Sequence, residues 1–383
     1  MLFLILGNLF KTKNSIFNHP YYCRFLFFFF EMLENLSLIL WFTLVTFILS
    51  IVLYPFYIQF LKRIKAWKTI RDNSATGEKS LIFTSIHKHK EWTPTMWWGL
   101  FLLLMAIMIG ISLVLQKLWY TNYSLRNQKE TYIILFWFFS MGIIGLIDDI
   151  LNIKNFWTIK WLSMRSKILW MIIFSAIITY WFYIKLWVDY INFWPFGGLV
   201  HLGIFFPILV FLWTIIIVNA VNITDWLDGL AWWMVAIILG WLAIVTFLNQ
   251  TYLVTTILGI AIAILLAFLF FNINPAKVFM GDSWAFCLWW LISSTICLIN
   301  MRIWIWIFIP FIILFLIFII ELWSSWIQML WKKLFKKKVF PIAPFHHYLE
   351  YKWHHEYEIT MKFWLIQWIL VMIFIILIFC QDW

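Results

Sequence analysis

A chain of 383 residues that is 65% hydrophobic and 12% charged is not a soluble globular domain, because such domains carry about twice that share of charge. A net charge of +11 would point to nucleic acid in a soluble protein. In a chain this apolar it points instead to the cytoplasmic loops of a membrane protein, where Lys and Arg accumulate. Cys23, Cys287, Cys297 and Cys380 show no CxxC spacing, which speaks against a disulfide framework or a zinc site.

The chain opens on an unusual segment. "CRFLFFFFEM" is too short to span a bilayer and lacks a small-residue cleavage site. Residues 1–31 therefore read as an N-terminal extension or a mis-assigned start, with Met32 leading into the first span. Residues 32–383 read as one integral-membrane domain, since no long polar stretch interrupts them. Apolar runs centre near residues 48, 106, 139, 177, 210, 239, 261, 291, 315 and 370. Each approaches the roughly 20 residues that a helical span requires. None alternates like a membrane β-strand of about 10 residues. The expected fold class is an all-α polytopic membrane protein of about ten spans.

Charge sets the orientation. The loops near 61–95, 148–167, 222–229, 272–282 and 331–362 fall on one side and hold 20 of the 28 Lys and Arg residues. That side is expected in the cytoplasm, with both termini outside. "KKLFKKK" (332–338) reads as an anchor on anionic headgroups, with direct substrate contact as the alternative.

The polar side chains gather on those same loops. "HKHKEWTPTM" supplies Lys90 and Thr95, and "GLIDDILNIKN" supplies Asp148 and Asp149. "NAVNITDWLDGLA" supplies Asn219, Asn222, Thr224, Asp225 and Asp228. "NINPAKVFMGDSWA" supplies Asn272, Asn274, Lys277 and Asp282, and "APFHHYLE" supplies His346 and His347. Any one cluster alone could be a solvated helix end, but acids at a membrane edge are candidates for function. Adjacent carboxylates repel unless a cation sits beside them, and magnesium needs only one or two carboxylates when phosphates supply the rest. The adjacent histidines lack the i, i+4 spacing of a helical zinc site. Acids, lysines and histidines on one face suit phosphoryl transfer with a divalent metal. No P-loop or GxGxxG fingerprint occurs. A transporter would place ionisable groups near the midplane in repeated halves, and no such repeat is visible.

Five ordered motifs carry a resemblance across about residues 36–380. "TPTMWW", "GLIDDIL", "NAVNITDWLDGLA", "NINPAKVFMGDSWA" and "APFHHY" resemble those of the phospho-N-acetylmuramoyl-pentapeptide-transferase family. That family belongs to the polyprenyl-phosphate N-acetylhexosamine-1-phosphate transferases, within glycosyltransferase family 4. The resemblance implies Mg²⁺-dependent transfer of phospho-MurNAc-pentapeptide from UDP-MurNAc-pentapeptide to undecaprenyl phosphate in the bacterial cytoplasmic membrane, releasing UMP. A related GlcNAc-1-phosphate transferase is the alternative. By the same resemblance Asp282 binds the metal, and Asp148 and Asp149 serve the lipid phosphate and support the metal site, Asp149 as second ligand. His346 stands near the phosphates, with His347 beside it. Asn222, Asp225, Asp228 and Asn272 line the nucleotide site, Phe279 stacks on uracil, and Lys90 and Thr95 complete the cleft. The polyprenyl tail would lie among membrane lipid in an apolar groove. No nucleic acid is implied, and a homodimer is left open. The family's third histidine is Tyr348 here, and a lysine it often carries after the paired aspartates is Asn152.

Where the family motifs have Gly, this chain repeatedly has Trp: at 92, 97, 98, 226, 284, 289 and 290, among others. It holds 30 Trp and 13 Gly, whereas average usage would give roughly 27 Gly. Loops that approach phosphates use Gly for backbone freedom, and close membrane helices favour small residues. The pattern predicts UGA codons that the cell reads as Gly. Trp364 falls where the family also has Trp.

Overall fold

The computed structural model describes residues 20–67, 90, 92–118, 121, 125, 129–154, 169, 172–173, 175–177, 179–180, 183–184, 189–192, 199–281, 284–303, 308–352 and 354–379. Its helices are α1 (Pro20–Arg63), α2 (Trp98–Lys117), α3 (Lys129–Lys154), α4 (Phe205–Thr224), α5 (Leu230–Leu248), α6 (Tyr252–Asn272), α7 (Trp284–Ile303), α8 (Phe308–Leu314), α9 (Leu316–Phe335), α10 (Phe345–Tyr351) and α11 (Glu356–Phe379). A two-stranded antiparallel hairpin precedes α4, with β1 (Tyr190–Asn192) in register against β2 (Leu199–His201). Helices dominate because a chain in hydrocarbon must satisfy its backbone polar groups internally.

Six of these helices are long and apolar enough to cross a membrane: those over Phe28–Arg63, Trp98–Lys117, Phe205–Thr224, Leu230–Leu248, Tyr252–Asn272 and Glu356–Leu377. They coincide with the expected spans near 48, 106, 210, 239, 261 and 370. Shorter apolar helical stretches, Ile134–Ile143 and Trp290–Ile299, fall at the expected spans near 139 and 291. The expected span near 177 lies largely outside the described residues. The one near 315 is interrupted at Phe315, between α8 and α9. There the Leu314 carbonyl accepts a hydrogen bond from Gln367 Nε2 of α11 at 3.0 Å. A side chain inserted beside the helix ladder is a recognised cause of such a break.

α1 is one helix of 44 residues that runs through Met32 without a break. At about 1.5 Å per residue it extends roughly 66 Å, about twice the hydrocarbon thickness. α6 is the most buried span, packed by α1 on one side and α5 on another. Its small residues Gly259, Ala261, Ala263 and Ala267 permit this. A Cβ at Gly259 would come within 2.5 Å of Thr43 Oγ1 on α1. α3 packs on α7, α4 on α9, and α11 on both α5 and α8. Asn272 ends α6, and the α4–α5 and α6–α7 loops meet at that end of the bundle.

The tryptophans at motif glycines divide sharply. Trp97, Trp98 and Trp290 are buried in the core. Trp97 stacks on Tyr54, with ring centroids 5.6 Å apart, and lies 4.3 Å from the Phe268 ring. Its indole N–H is buried without a hydrogen-bond partner. Trp92 is 63% exposed and has φ +71°, a left-handed conformation that a side chain of this bulk seldom takes.

Candidate active site

The chain leaving α1 comes back to it just before α2. Trp67 and Pro94 form an antiparallel bridge, and Thr95 N–H donates to the Ala66 carbonyl at 2.8 Å. The next stitch comes from the α6–α7 loop, where Phe279 N–H donates to the Pro94 carbonyl at 2.7 Å. Lys90, Thr95 and Phe279 are thereby held in one wall although they come from distant parts of the chain. Lys90 Nζ lies 5.9 Å from the centroid of the Phe279 ring, within cation–π range.

Lys90 is buried, and its ammonium meets two carboxylates. Nζ is 2.8 Å from Asp228 Oδ1 and 2.5 Å from Glu356 Oε1. A third, longer contact reaches the Trp226 carbonyl at 3.4 Å. Burial alone would lower the Lys90 pKa, but Asp228 and Glu356 outweigh it and hold the ammonium above its ordinary range. Glu356, the first residue of α11, also accepts from Asp228 N–H at 2.6 Å. Asp228 Oδ2 accepts from Asn274 Nδ2 at 3.2 Å and from Ala276 N–H at 3.0 Å. Asn274 Nδ2 also approaches Glu356 Oε2 at 3.3 Å.

Asn272 closes the same wall. Its Oδ1 accepts from Gly229 N–H at 2.9 Å, and its Nδ2 donates to the Val278 carbonyl at 2.8 Å. Gly229 has φ +74°, which glycine adopts without the steric cost of a Cβ. One buried amide side chain thus ties the α4–α5 loop to the α6–α7 loop. Asn222 lies in the last turn of α4, and Asp225 is its C-cap, both half-buried.

The histidines are presented by α10. Its first two N–H groups are orphans of a helix start, and α9 satisfies them. Ser324 Oγ accepts from Phe345 N–H at 3.1 Å, and Glu321 Oε2 accepts from His346 N–H at 3.3 Å. The same oxygen lies 3.0 Å from His346 Nδ1. Glu321 therefore meets both the main chain and the ring of His346, and fixes the orientation of the imidazole. Both side chains of the pair are fully buried. His347 is buried beside it, with Nδ1 2.6 Å from Glu350 Oε2. The Trp226 ring stands 6.3 Å from the His347 ring, so the histidine helix borders the Asp228 loop.

The sequence-expected residues Lys90, Thr95, Asp228, Asn272 and Phe279 therefore share one hydrogen-bonded wall, and His346 and His347 adjoin it. Asp148 and Asp149 stand near the end of α3, with side chains outside the described part. Asp282 lies outside the described residues. Among the described residues no group of three His, Cys, Asp or Glu side chains could hold a metal. Sequence reasoning passed over Glu356, Glu321 and Glu350. Glu356 carried the signal used for the others, an acid at a span end on the charge-rich side. Glu321 had none, because its partner is separated from it by 25 residues.

Residues 131–300 match the glycosyl transferase family 4 description. The chain is 32% identical over 349 residues to the phospho-N-acetylmuramoyl-pentapeptide-transferase of Clostridium acetobutylicum, covering 88% of this chain and 98% of that protein. It is 33% identical over 332 residues to the protein of the same name from Clostridium botulinum, covering 86% and 93%. It is 30% identical over 333 residues to that of Staphylococcus carnosus, covering 84% and 94%.

Proposed function

The chain belongs to the phospho-N-acetylmuramoyl-pentapeptide-transferase family, and from that premise we propose how its cleft performs the reaction. It transfers phospho-MurNAc-pentapeptide from the UDP-linked donor to a lipid acceptor in peptidoglycan synthesis. The acceptor is undecaprenyl phosphate. Its phosphate oxygen attacks the sugar-linked phosphorus, a new P–O bond forms, and the P–O bond to UMP breaks. UMP leaves with the electron pair. The cleft faces the cytoplasm, because the loops that build it fall on the side that holds 20 of the 28 Lys and Arg residues.

The observation that carries this reading is the wall formed by Lys90, Asp228, Asn272 and Phe279 from three separate loops. It offers a cation, amide groups and an aromatic ring at one place, which suits a nucleotide. Phe279 supplies the face for uracil, and Asn222, Asp225 and Thr95 line the same pocket. Asp149 and Asp282 would hold the metal. Asp149 stands near the end of α3, which packs against α7, and Asp282 precedes the start of α7 by two residues. Two carboxylates, one near the end of α3 and one two residues before α7 in the chain, would suit Mg²⁺, whose remaining ligands phosphates and water would supply. When bound, the ion offsets charge on the transferring phosphoryl group. Asp148 positions or deprotonates the lipid phosphate. His346, oriented by Glu321, stands near the phosphates.

The test uses purified protein in detergent with undecaprenyl phosphate, Mg²⁺ and either UDP-MurNAc-pentapeptide or UDP-GlcNAc. UMP release with the muramoyl donor alone is expected. Transfer from UDP-GlcNAc alone would overturn the muramoyl assignment.

A further inference from the structure

An ammonium has three N–H donors. In Lys90 two of them are taken at short range by Asp228 and Glu356, and the third reaches the Trp226 carbonyl only at 3.4 Å. The long contact is the one that a substrate acceptor can replace without breaking an ion pair. Which way that donor points depends on the two carboxylates that fix the other two. Asp228 cannot fix it alone, because Lys is a point charge on a flexible stem.

Glu356 has a second task. Its Oε1 accepts from Asp228 N–H as well as from Lys90, and its Oε2 lies within reach of Asn274. One carboxylate thus joins the segment before α2, the α4–α5 loop, the α6–α7 loop and the start of α11. Lys90 is also the cation over the Phe279 face. Releasing it disturbs the ring and the ammonium together.

We propose that Glu356 is a positioning residue of the nucleotide pocket, which acts through Lys90 by fixing one ammonium donor while Asp228 fixes a second, so that the third is left for the substrate. It also holds the main chain of Asp228 in place. This role rests on the nucleotide pocket described under the proposed function. Its effect falls on donor binding rather than on the bond-breaking step, so it separates KM from kcat.

Two measurements test it. The first does not depend on activity. Glu356→Gln keeps the size and an acceptor oxygen but removes the charge, so Lys90 becomes freer and more often neutral. Brief acetic anhydride labelling at pH 8.5, read by peptide mass spectrometry, should rise about fivefold or more at Lys90. Labelling at exposed Lys277 and Lys352 should stay level. An unchanged Lys90, or a rise shared by all three lysines, would overturn the proposal, the latter because it marks loss of the fold. The second measurement is steady-state transfer. Glu356→Gln should raise KM for UDP-MurNAc-pentapeptide about tenfold, as loss of a charge-assisted hydrogen bond implies. The fall in kcat should be smaller than that rise. A fall in kcat at constant KM would overturn the role. If Lys90 labelling rises and no transfer occurs in the parent protein, the reaction assignment fails and the Lys90–Glu356 coupling stands.

Discussion

Replacing Lys90 with Met removes the cation and keeps most of the buried stem. Asp228 Oδ1 and Glu356 Oε1 then face one another with nothing between them. Each lies within 2.8 Å of the lost nitrogen, so their own separation is about 5 Å or less. At an effective dielectric of about 20, two like charges at that distance repel by about 3 kcal/mol. Removing one partner from a buried ionic cluster costs about 3–5 kcal/mol in general, and the two figures agree. Lys90→Met should therefore lose about 3–5 kcal/mol in a reversible SDS titration from mixed micelles, followed by tryptophan fluorescence. Lys277→Met, at an exposed position, should stay within about 0.5 kcal/mol of the parent. Adding Asp228→Asn to Lys90→Met should recover part of the loss, because one of the facing charges is gone. Equal stability of the two lysine variants would refute the reasoning. The pH dependence has a defined sign. The folded pKa of Lys90 lies above its ordinary value, so its stabilisation is complete below the unfolded value, near 10.4. It is lost as pH rises through the folded value. The parent should lose this contribution only at strongly alkaline pH, and Lys90→Met should lack that step.

Four further outcomes are expected. Asp282→Asn should abolish transfer and weaken Mg²⁺ dependence, measured as UMP release across a magnesium series; near-normal turnover would remove Asp282 from the metal site. Trp92→Gly should stabilise the protein by about 1–2 kcal/mol in the same SDS titration, through relief of the left-handed backbone. In the native cell, peptide mass spectrometry should read Gly at 97, 98, 226 and 284, and Trp at those positions would end the decoding explanation. Glu321→Ala leaves His346 Nδ1 and the His346 N–H without their buried acceptor, which should cost about 2–5 kcal/mol. Glu321→Gln keeps an acceptor oxygen and should cost less, so equal losses would show that the contact is not what holds α10.

Six of the expected spans were legible because hydrocarbon leaves little choice: a long apolar run must be a helix. The interruption at Phe315 was not, because it depends on Gln367 reaching Leu314 from another helix. At the site, Lys90, Asp228, Asn272 and Phe279 stood out as polar or aromatic residues in ordered loop motifs. The sequence marks such residues but does not pair them. That Asn272 serves the N–H of Gly229, or that Glu356 shares Lys90 with Asp228, follows from how three loops and the start of α11 come together at one helix end. Glu321 was hidden for a further reason. It lies inside an apolar helix, and its function is apparent only when α10 folds back onto it.

Lys90 and Glu356 are 266 positions apart, and this distance matters during synthesis. At about 5–20 residues per second, roughly 13 to 53 s pass between the two leaving the ribosome's catalytic centre. Throughout that interval the α4–α5 loop has Asp228 but lacks the carboxylate that holds its main chain. The cluster of Lys90, Asp228 and Glu356 is therefore completed only when the start of α11 arrives. A nascent chain can thread its earlier helices into the bilayer before this cluster closes.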